Sequence, residues 1–430
     1  MTPKIAIIGA GPGGCMLARL LGQSGVEVSL TVFEGEAAMD YRSQGGSLDL
    51  RTNTGLAAIK KAGLWNEFQK QARYDGESLL ITDKDLITWM KRSGRHSGDS
   101  GKAQLMEAPE IDRPILRRML VESLDASSIR WGHKLSRVEE APAGLRLHFA
   151  NGETIDGFDL VVGCDGAFSK TRALLTSERP FYTGLGGWAM SIPNASITAP
   201  EINKLANRGS VFAYSDGTNL GIQQVSGDKI EVSCYSQCPE NYTKTCGFDI
   251  NNIYQVKSAL KKQLHDWRPE LVGAIDKAQN DLAWRNLYQL PVGFTWPHKP
   301  GITLLGDAAH LMTPFAGIGV NSAFHDAMLL SGQIIAYTQS LLATSTNSKS
   351  HTDALDQYIK QYEQDMFTHA HKAQQLTEAS KIHMLFTPGA PRASIHRWVY
   401  GHAKEELPWW SHGLVKGVVY AGFWVYKLFV

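Results

Sequence analysis

Gly9-Ala10-Gly11-Pro12-Gly13-Gly14 carries the spacing GxGxxG directly after the apolar run Ile5–Ile8. The residue types suit one task, holding a pyrophosphate. Gly9 permits a tight strand-to-helix turn, Gly11 lets the phosphates approach the backbone, and Gly14 lets the helix pack closely on its strand. Gly13 keeps the same face free of side chains. A helix starting here offers unpaired N–H groups and the positive end of its dipole to an anion. Glu34 closes the next apolar run, 25 residues after Gly9, where a ribose-binding carboxylate is expected. The plainer account of Glu34 is an exposed strand-end charge. The strand, loop and helix around it favour a dinucleotide site, without saying which dinucleotide.

The elements needed to position these residues are legible. Ile5–Ile8 reads as a buried strand, Cys15–Ser24 as a helix ended near Gly25, and Val26–Glu34 as a second strand, together a βαβ unit. Gly55–Ala72 and Ile115–Leu124 carry helical patterns, and Leu160–Val162 is a core strand. From Phe181 to Cys238 short alternating strands and glycine turns replace this pattern, which predicts an inserted antiparallel domain. Asn252–Lys277 reads as helical, Gly301–Leu305 as a strand and Val320–Tyr337 as a helix. Residues 93–101 and 344–352 read as loops, and the rest of the chain as helical.

Two further motifs lie at strand ends, Gly163-Cys164-Asp165-Gly166 and Gly306-Asp307-Ala308-Ala309-His310, the latter continuing Leu311-Met312-Thr313-Pro314-Phe315-Ala316-Gly317-Ile318-Gly319-Val320-Asn321. With the glycine-rich start, they make residues 1–335 resemble the class A flavoprotein monooxygenases, the para-hydroxybenzoate hydroxylase-like family. The resemblance implies bound FAD. It implies that Asp307 meets ribityl hydroxyls, that the backbone of Pro314, Gly317 and Gly319 meets the isoalloxazine edge, and that Arg113 and Asp165 lie near the flavin. Arg113 as a surface salt bridge and Asp165 as a turn cap are the alternatives. The implied cycle uses transient NADPH or NADH, then dioxygen, and oxygenates an electron-rich substrate through a flavin C4a-hydroperoxide. The flavin carries the chemistry, so no side chain is expected to be the catalyst. A second GxGxxG and a CxxC pair, expected of a two-dinucleotide reductase, do not occur.

A narrower resemblance begins at Gly45-Gly46-Ser47-Leu48-Asp49-Leu50-Arg51 and includes Glu110–Leu116 and the aromatic C-terminal helix. It is to the tetracycline-inactivating monooxygenases, and it implies that Gln44, Gly46 and Arg51 lie near the flavin ring. In the inserted sheet, alternation puts Trp188 and Met190 on one face of a strand and Phe212 and Tyr214 on one face of another. With Gln223 they are the candidate substrate wall, the alternative for each being the domain's own core.

The architecture expected is therefore α/β. A Rossmann-type FAD-binding domain (residues 1–80, 103–178 and 284–338) holds an inserted antiparallel-sheet substrate domain (81–102 and 179–283), and C-terminal helices (339–430) pack over both. Across 430 residues, 43% hydrophobic and 20% charged with a net charge of +1, no global field draws nucleic acid or anionic membrane. Five cysteines, sparsely spaced, suit a reducing compartment. No signal-peptide pattern follows Met1, so a cytoplasmic monomer is expected, with no spanning segment. Cys234, Cys238 and Cys246 do not form a zinc pattern, so no metal is expected. His310 is expected to cap its motif, and His369, His371, His383, His396 and His402 to be solvated or capping. The final aromatics, Trp398, Trp409, Trp410, Phe423, Trp424, Tyr426 and Phe429, read as buried against the rest of the chain rather than on a membrane. Aromatic or polyketide hydroxylation, flavin-dependent isoprenoid reduction and a non-catalytic flavin- or drug-binding module are the competing functions.

Overall fold

The computed structural model describes residues 2–39, 45–92, 108–142, 144–343 and 348–430. The loop expected at 93–101 lies outside them, as does Gln44. The chain divides into two compact units: Met1–Ala72 with Leu105–Phe181 and Tyr288–Gln375, and Arg73–Gln104 with Tyr182–Leu287 and Leu376–Val430.

The first unit is built on a five-stranded sheet in the order Ile302–Leu304, Leu160–Gly163, Lys4–Ile8, Ser29–Phe33 and Ile129–Arg130. Every pairing in it is parallel, with Ile7 beside Val162 on one side and Val32 on the other. Strands buried on both faces require apolar runs rather than alternation. Ile5, Ile7, Val161, Val162, Ile302 and Leu304 accordingly have no exposed surface. The helix Pro12–Gly22 packs against the long helix Gly319–Ala343. This contact is close because Gly13 faces Leu305 and Ala323; a Cβ on Gly13 would meet Leu305 Cδ1 at 2.8 Å. An antiparallel ladder of Leu135–Ala141, Gly144–Phe149 and Thr154–Phe158 completes the unit's strands, together with the short pair Ser47–Asp49 and Glu110–Asp112.

The second unit contains a seven-stranded sheet in the order Asn280–Gln289, Phe181–Ile192, Lys229–Gln237, Thr218–Val225, Ser210–Ser215, Leu79–Thr82 and Thr88–Arg92. From Phe181–Ile192 to Thr88–Arg92 the pairings are antiparallel, except where Ser210–Ser215 runs parallel to Leu79–Thr82. Paired residues share a face, so the register sorts the side chains. Trp188 pairs with Cys234 and Met190 with Val232, and all four are buried with Val211, Leu220 and Ile222 under apolar residues of the helices Pro200–Ala206, Ile253–Gln263 and Pro269–Lys277. Two of these helices replace the single one expected over Asn252–Lys277, because Asp266-Trp267-Arg268-Pro269 interrupts the period and Pro269 restarts it.

The helices after residue 339 are shared between the units, up to Gln375 in the first and from Leu376 in the second. The long helix Ser348–Lys381 begins inside the polar stretch expected to be loop. Among the described residues no helix is long and apolar enough to cross a membrane.

Trp188 fills the core under the helices, with its ring 4.9 Å from that of Trp284 in an edge-on contact. Trp188→Ala is expected to lower unfolding stability by about 3–5 kcal/mol in denaturant titration. Phe212, half-buried on the opposite face, is expected to cost clearly less when made Ala.

Candidate functional site

The strand Lys4–Ile8 delivers the chain to Gly9 at φ +108°, a conformation open to glycine. A Cβ on Gly9 would sit 2.5 Å from the Cys164 carbonyl oxygen, and one on Gly14 would overlap the carbonyl oxygen of Gly9. The loop is thus pressed against both its strand and the turn that follows Gly163. At Gly11 the opposite holds, since nothing lies within 4 Å of where a Cβ would be. The helix Pro12–Gly22 starts there with no side-chain cap and no acidic residue in its first turn. An uncapped helix N-terminus with open space above a glycine fits a pyrophosphate.

Glu34 reaches back to this loop. Its Oε2 accepts from Ala10 N–H (2.7 Å) and its Oε1 from Glu36 N–H (2.9 Å). Arg117, which the sequence reading did not single out, donates from Nε to the Ala10 carbonyl (3.3 Å) and from Nη1 to Glu36 (2.7 Å). Its other nitrogen lies 3.9 Å from Glu34. Arg117 stands one turn beyond Arg113 on the helix Arg113–Glu122, and no spacing rule linked it to the glycines. Arg113 N–H donates to the Gly46 carbonyl (2.9 Å), where Gly46 has φ +105°, and its exposed guanidinium acts on Asp307.

Asp307 heads the short helix Asp307–His310 with its side chain exposed. Protein crowds it nonetheless, and that partial desolvation pushes its carboxyl up, with Asp326 adding to the shift and His310 and Arg113 opposing it. Beneath it lies Asp326, without exposed surface. Its Oδ2 accepts from Gly306 N–H (2.7 Å) and His310 Nε2 (2.7 Å), and its Oδ1 is 3.0 Å from His369 Nε2. Burial favours the neutral acid, but the two histidines outweigh it and hold Asp326 well below the usual carboxylate range. For His310, burial disfavours the imidazolium, and Asp326 more than offsets this to push the pKa up. His369 is therefore not a solvated histidine; its ring lies 4.3 Å from that of His325, which burial and His369 push down.

The third motif closes on the segment after Gly46. Asn321 Oδ1 accepts from Arg51 N–H (2.8 Å) and Gly55 N–H (3.2 Å), while its Nδ2 donates to the Asp49 carbonyl (2.8 Å). Arg51 Nη2 donates to the Ala316 carbonyl (3.0 Å). Gly317 turns at φ +64°, where a Cβ would meet Asp49 Oδ1 at 3.3 Å. Asp49, Arg51, Gly55, Ala316 and Gly317 are thus gathered around the buried Asn321, with Pro314 and Gly317 exposed and Gly46 and Gly319 half-buried. Asp165 behaves differently. Its carboxylate accepts from Ser169 Oγ, Lys170 N–H, and Thr171 N–H and Oγ1, all within its own turn.

In the second unit the five wall candidates separate. Trp188 and Met190 face the helix-covered core. Phe212, Tyr214 and Gln223 lie on the other face, with Phe212 opposite Gly221, Tyr214 opposite Asn219, and Gln223 opposite Glu231. Tyr235 and Ser233 join them there by register. Burial pushes the Tyr214 phenol up, so it stays a donor at neutral pH.

The model of the FAD binding domain family matches residues 2–361. The chain belongs to that family. It is 29% identical over 418 residues to the monooxygenase penA of Penicillium thymicola, an alignment covering 87% of this chain and 93% of the relative. The structure of Klebsiella pneumoniae HpxO with FAD and uric acid superposes with a TM-score of 0.70 at 18% identity, covering 97% of this chain and 96% of that one. Tetracycline destructase Tet(55) superposes with 0.67 at 19% identity, covering 94% and 97%. The chain is thus a FAD-dependent monooxygenase, an oxidoreductase, with FAD as its cofactor and NAD(P)H as the co-substrate typical of the family.

Gly11→Ala meets open space in the protein, so its melting temperature without FAD is expected to be unchanged while FAD affinity falls by at least about tenfold, read by flavin fluorescence quenching. Unaltered affinity would place the pyrophosphate elsewhere. Asp326→Asn strands His310 and His369, and is expected to cost about 3–5 kcal/mol in denaturant unfolding. Because folding raises the His310 pKa above its unfolded value of ~6.5, that part of the stability is present below ~6.5 and is lost as pH rises through the raised value. Wild-type stability should therefore decline across that window, and the decline should shrink in Asp326→Asn to the part that His298, raised by Asp356 and Glu363 against its burial, contributes.

Proposed function

We propose that this monooxygenase hydroxylates an electron-rich polycycle of the tetracycline type, using NAD(P)H and dioxygen. The backbone at Gly11, Gly13 and Gly14 would hold the FAD pyrophosphate, Glu34 the ribose and Asp307 the ribityl chain. Pro314, Gly317 and Gly319 would meet the ring edge through backbone N–H groups. When bound there, FAD would supply hydride acceptance from NAD(P)H and activation of dioxygen, one oxygen atom entering the substrate and the other leaving as water.

The observation that carries this reading is the exposed Asp307 carboxylate above a rigid buried base. Gly306, His310 and His369 all converge on Asp326, so the loop that presents Asp307 is fixed before any ligand arrives. Arg51 and Asn321 fix the glycine turn at Gly317 in the same way. Asp165 braces its own turn, and we assign it an indirect role in holding the loop beside Gly9.

For the substrate, the half-buried Phe212 and Gln223 would offer an aromatic ring and an amide on one face of the second unit's sheet, beside the buried Tyr214. A broad ring system with several oxygens suits that set. Trp188 and Met190 support the sheet from behind. A second reading, a smaller hydroxylated heteroaromatic, draws on the uric acid held in the HpxO structure.

Aerobic NADPH oxidation by the FAD-loaded enzyme, with and without tetracycline, tests the choice when followed by product mass. Stimulated oxidation with a product heavier by one oxygen atom is expected. Unstimulated oxidation with intact drug would overturn the polycycle and leave the smaller aromatic to be tested in the same assay.

A further inference from the structure

The final helix, His412–Tyr426, contains no buried residue. Its inward side is formed by the half-buried Val415, Val419, Tyr420, Phe423 and Tyr426, and Tyr426 is fixed by its hydroxyl donating to the Thr88 carbonyl (2.7 Å). Its outward side is no more polar. Leu414 (74% exposed), Val418 and Val425 follow helical spacing, and Trp409 (82%), Trp410, Trp424 and Phe429 (81%) extend the apolar surface at both ends. A helix that is apolar all round is ordinarily enclosed, and an exposed apolar surface of this length marks a docking face.

Charge says what it meets. From Leu407 to Val430 the sequence holds Lys416 and Lys427 and no Asp or Glu. At the helix C-terminus Arg392 donates to the carbonyls of Lys427 (2.7 Å) and Val430 (2.5 Å), and Lys427 lies 3.3 Å from His396 Nδ1. No carboxylate is among the groups that shift these: burial first, then Arg392 and Arg397, pushes Lys427 down, and burial, then Lys427, Arg397 and His383, pushes His396 down. Beside Tyr420 lies a cavity of about 190 Å³ lined by His383, Arg397, Trp398 and Lys404, the last with its Nζ 3.7 Å from the Glu405 carboxylate. Trp398 is nine-tenths buried, and neither its Nε1 nor His383 Nδ1 has a hydrogen-bond partner among the described residues. Indoles at the ends of an apolar helix, cations alongside and donors waiting in a recess are what an anionic phospholipid surface would satisfy.

We propose that His412–Tyr426 lies in the headgroup region of an anionic membrane, seating Leu414, Val418, Trp424 and Phe429 among acyl chains and a lipid phosphate near Arg397 and Lys404. The helix rests on the bilayer without crossing it. An enzyme docked in this way would meet apolar substrates where they partition.

The test is co-sedimentation of the full-length, FAD-loaded enzyme with vesicles of phosphatidylcholine, alone or mixed with phosphatidylglycerol, alongside sedimentation velocity without lipid. The wild type is expected to bind the mixed vesicles more tightly, with a blue shift in tryptophan emission, and to be monomeric without lipid. Leu414→Glu/Val418→Glu should weaken binding by more than about tenfold with FAD content and melting temperature unchanged. Arg397→Gln/Lys404→Gln should remove the preference for phosphatidylglycerol. Absence of binding to either vesicle overturns the proposal, as does equal binding to both by the wild type. A lipid-free dimer dissociated by Leu414→Glu/Val418→Glu would also overturn it, by showing that a second copy covers the helix.

Discussion

Where Gly9, Gly14 and Gly163 meet, backbone touches backbone and no Cβ fits. A side chain on Gly163 would fall 2.6 Å from Leu304 and 2.7 Å from Thr171, and those on Gly9 and Gly14 would strike carbonyl oxygens. This crowding fixes the distance between the parallel strands and the helix Pro12–Gly22, and so decides where that helix points its N-terminus. Only Gly11 of the group looks onto open space. The same packing that excludes side chains below the loop leaves open space at Gly11, beside a helix N-terminus without a side-chain cap.

A second constraint is electrostatic. Asp326 is a fully buried carboxylate, a group tolerated only when paired and hydrogen-bonded. It is supplied by the backbone N–H of Gly306 and by two histidines from separate parts of the chain. The late motif and the helix Ser348–Lys381 are thereby tied through a single group. A parallel arrangement lies earlier on that helix, where Glu363 accepts from Trp296, Thr303 and His298. Buried carboxylates thus hold both the strand Ile302–Leu304 and the turn at Gly306 that follows it.

The parallel sheet was legible because its strands are continuous apolar runs followed by glycine, a signal local in sequence. The glycine turn after Ile8 and the turn at Gly306 were legible for the same reason. Arg117, Asp326 and His369 were not, because their partners lie 107, 20 and 43 residues away and no local period encodes such pairs. Alternation correctly grouped Trp188 with Met190 and Phe212 with Tyr214, but could not say which group faced the helices; register across the strands decided that. Of the final aromatics, Trp398, Phe423 and Tyr426 pack as expected, and Trp409, Trp410, Trp424 and Phe429 do not. Hydrophobicity shows that a side chain avoids water, not what replaces the water, and among the described residues nothing covers these four.

The account stands on the glycine loop, Glu34 and Asp307 belonging to one flavin site. A crystal structure of the FAD-loaded enzyme tests that directly. The account requires the pyrophosphate within hydrogen-bonding distance of N–H groups at Gly11–Gly14, a ribose hydroxyl at Glu34 and the ribityl chain at Asp307. A flavin whose phosphates lie away from that helix N-terminus, or whose ribityl chain does not reach Asp307, would contradict it.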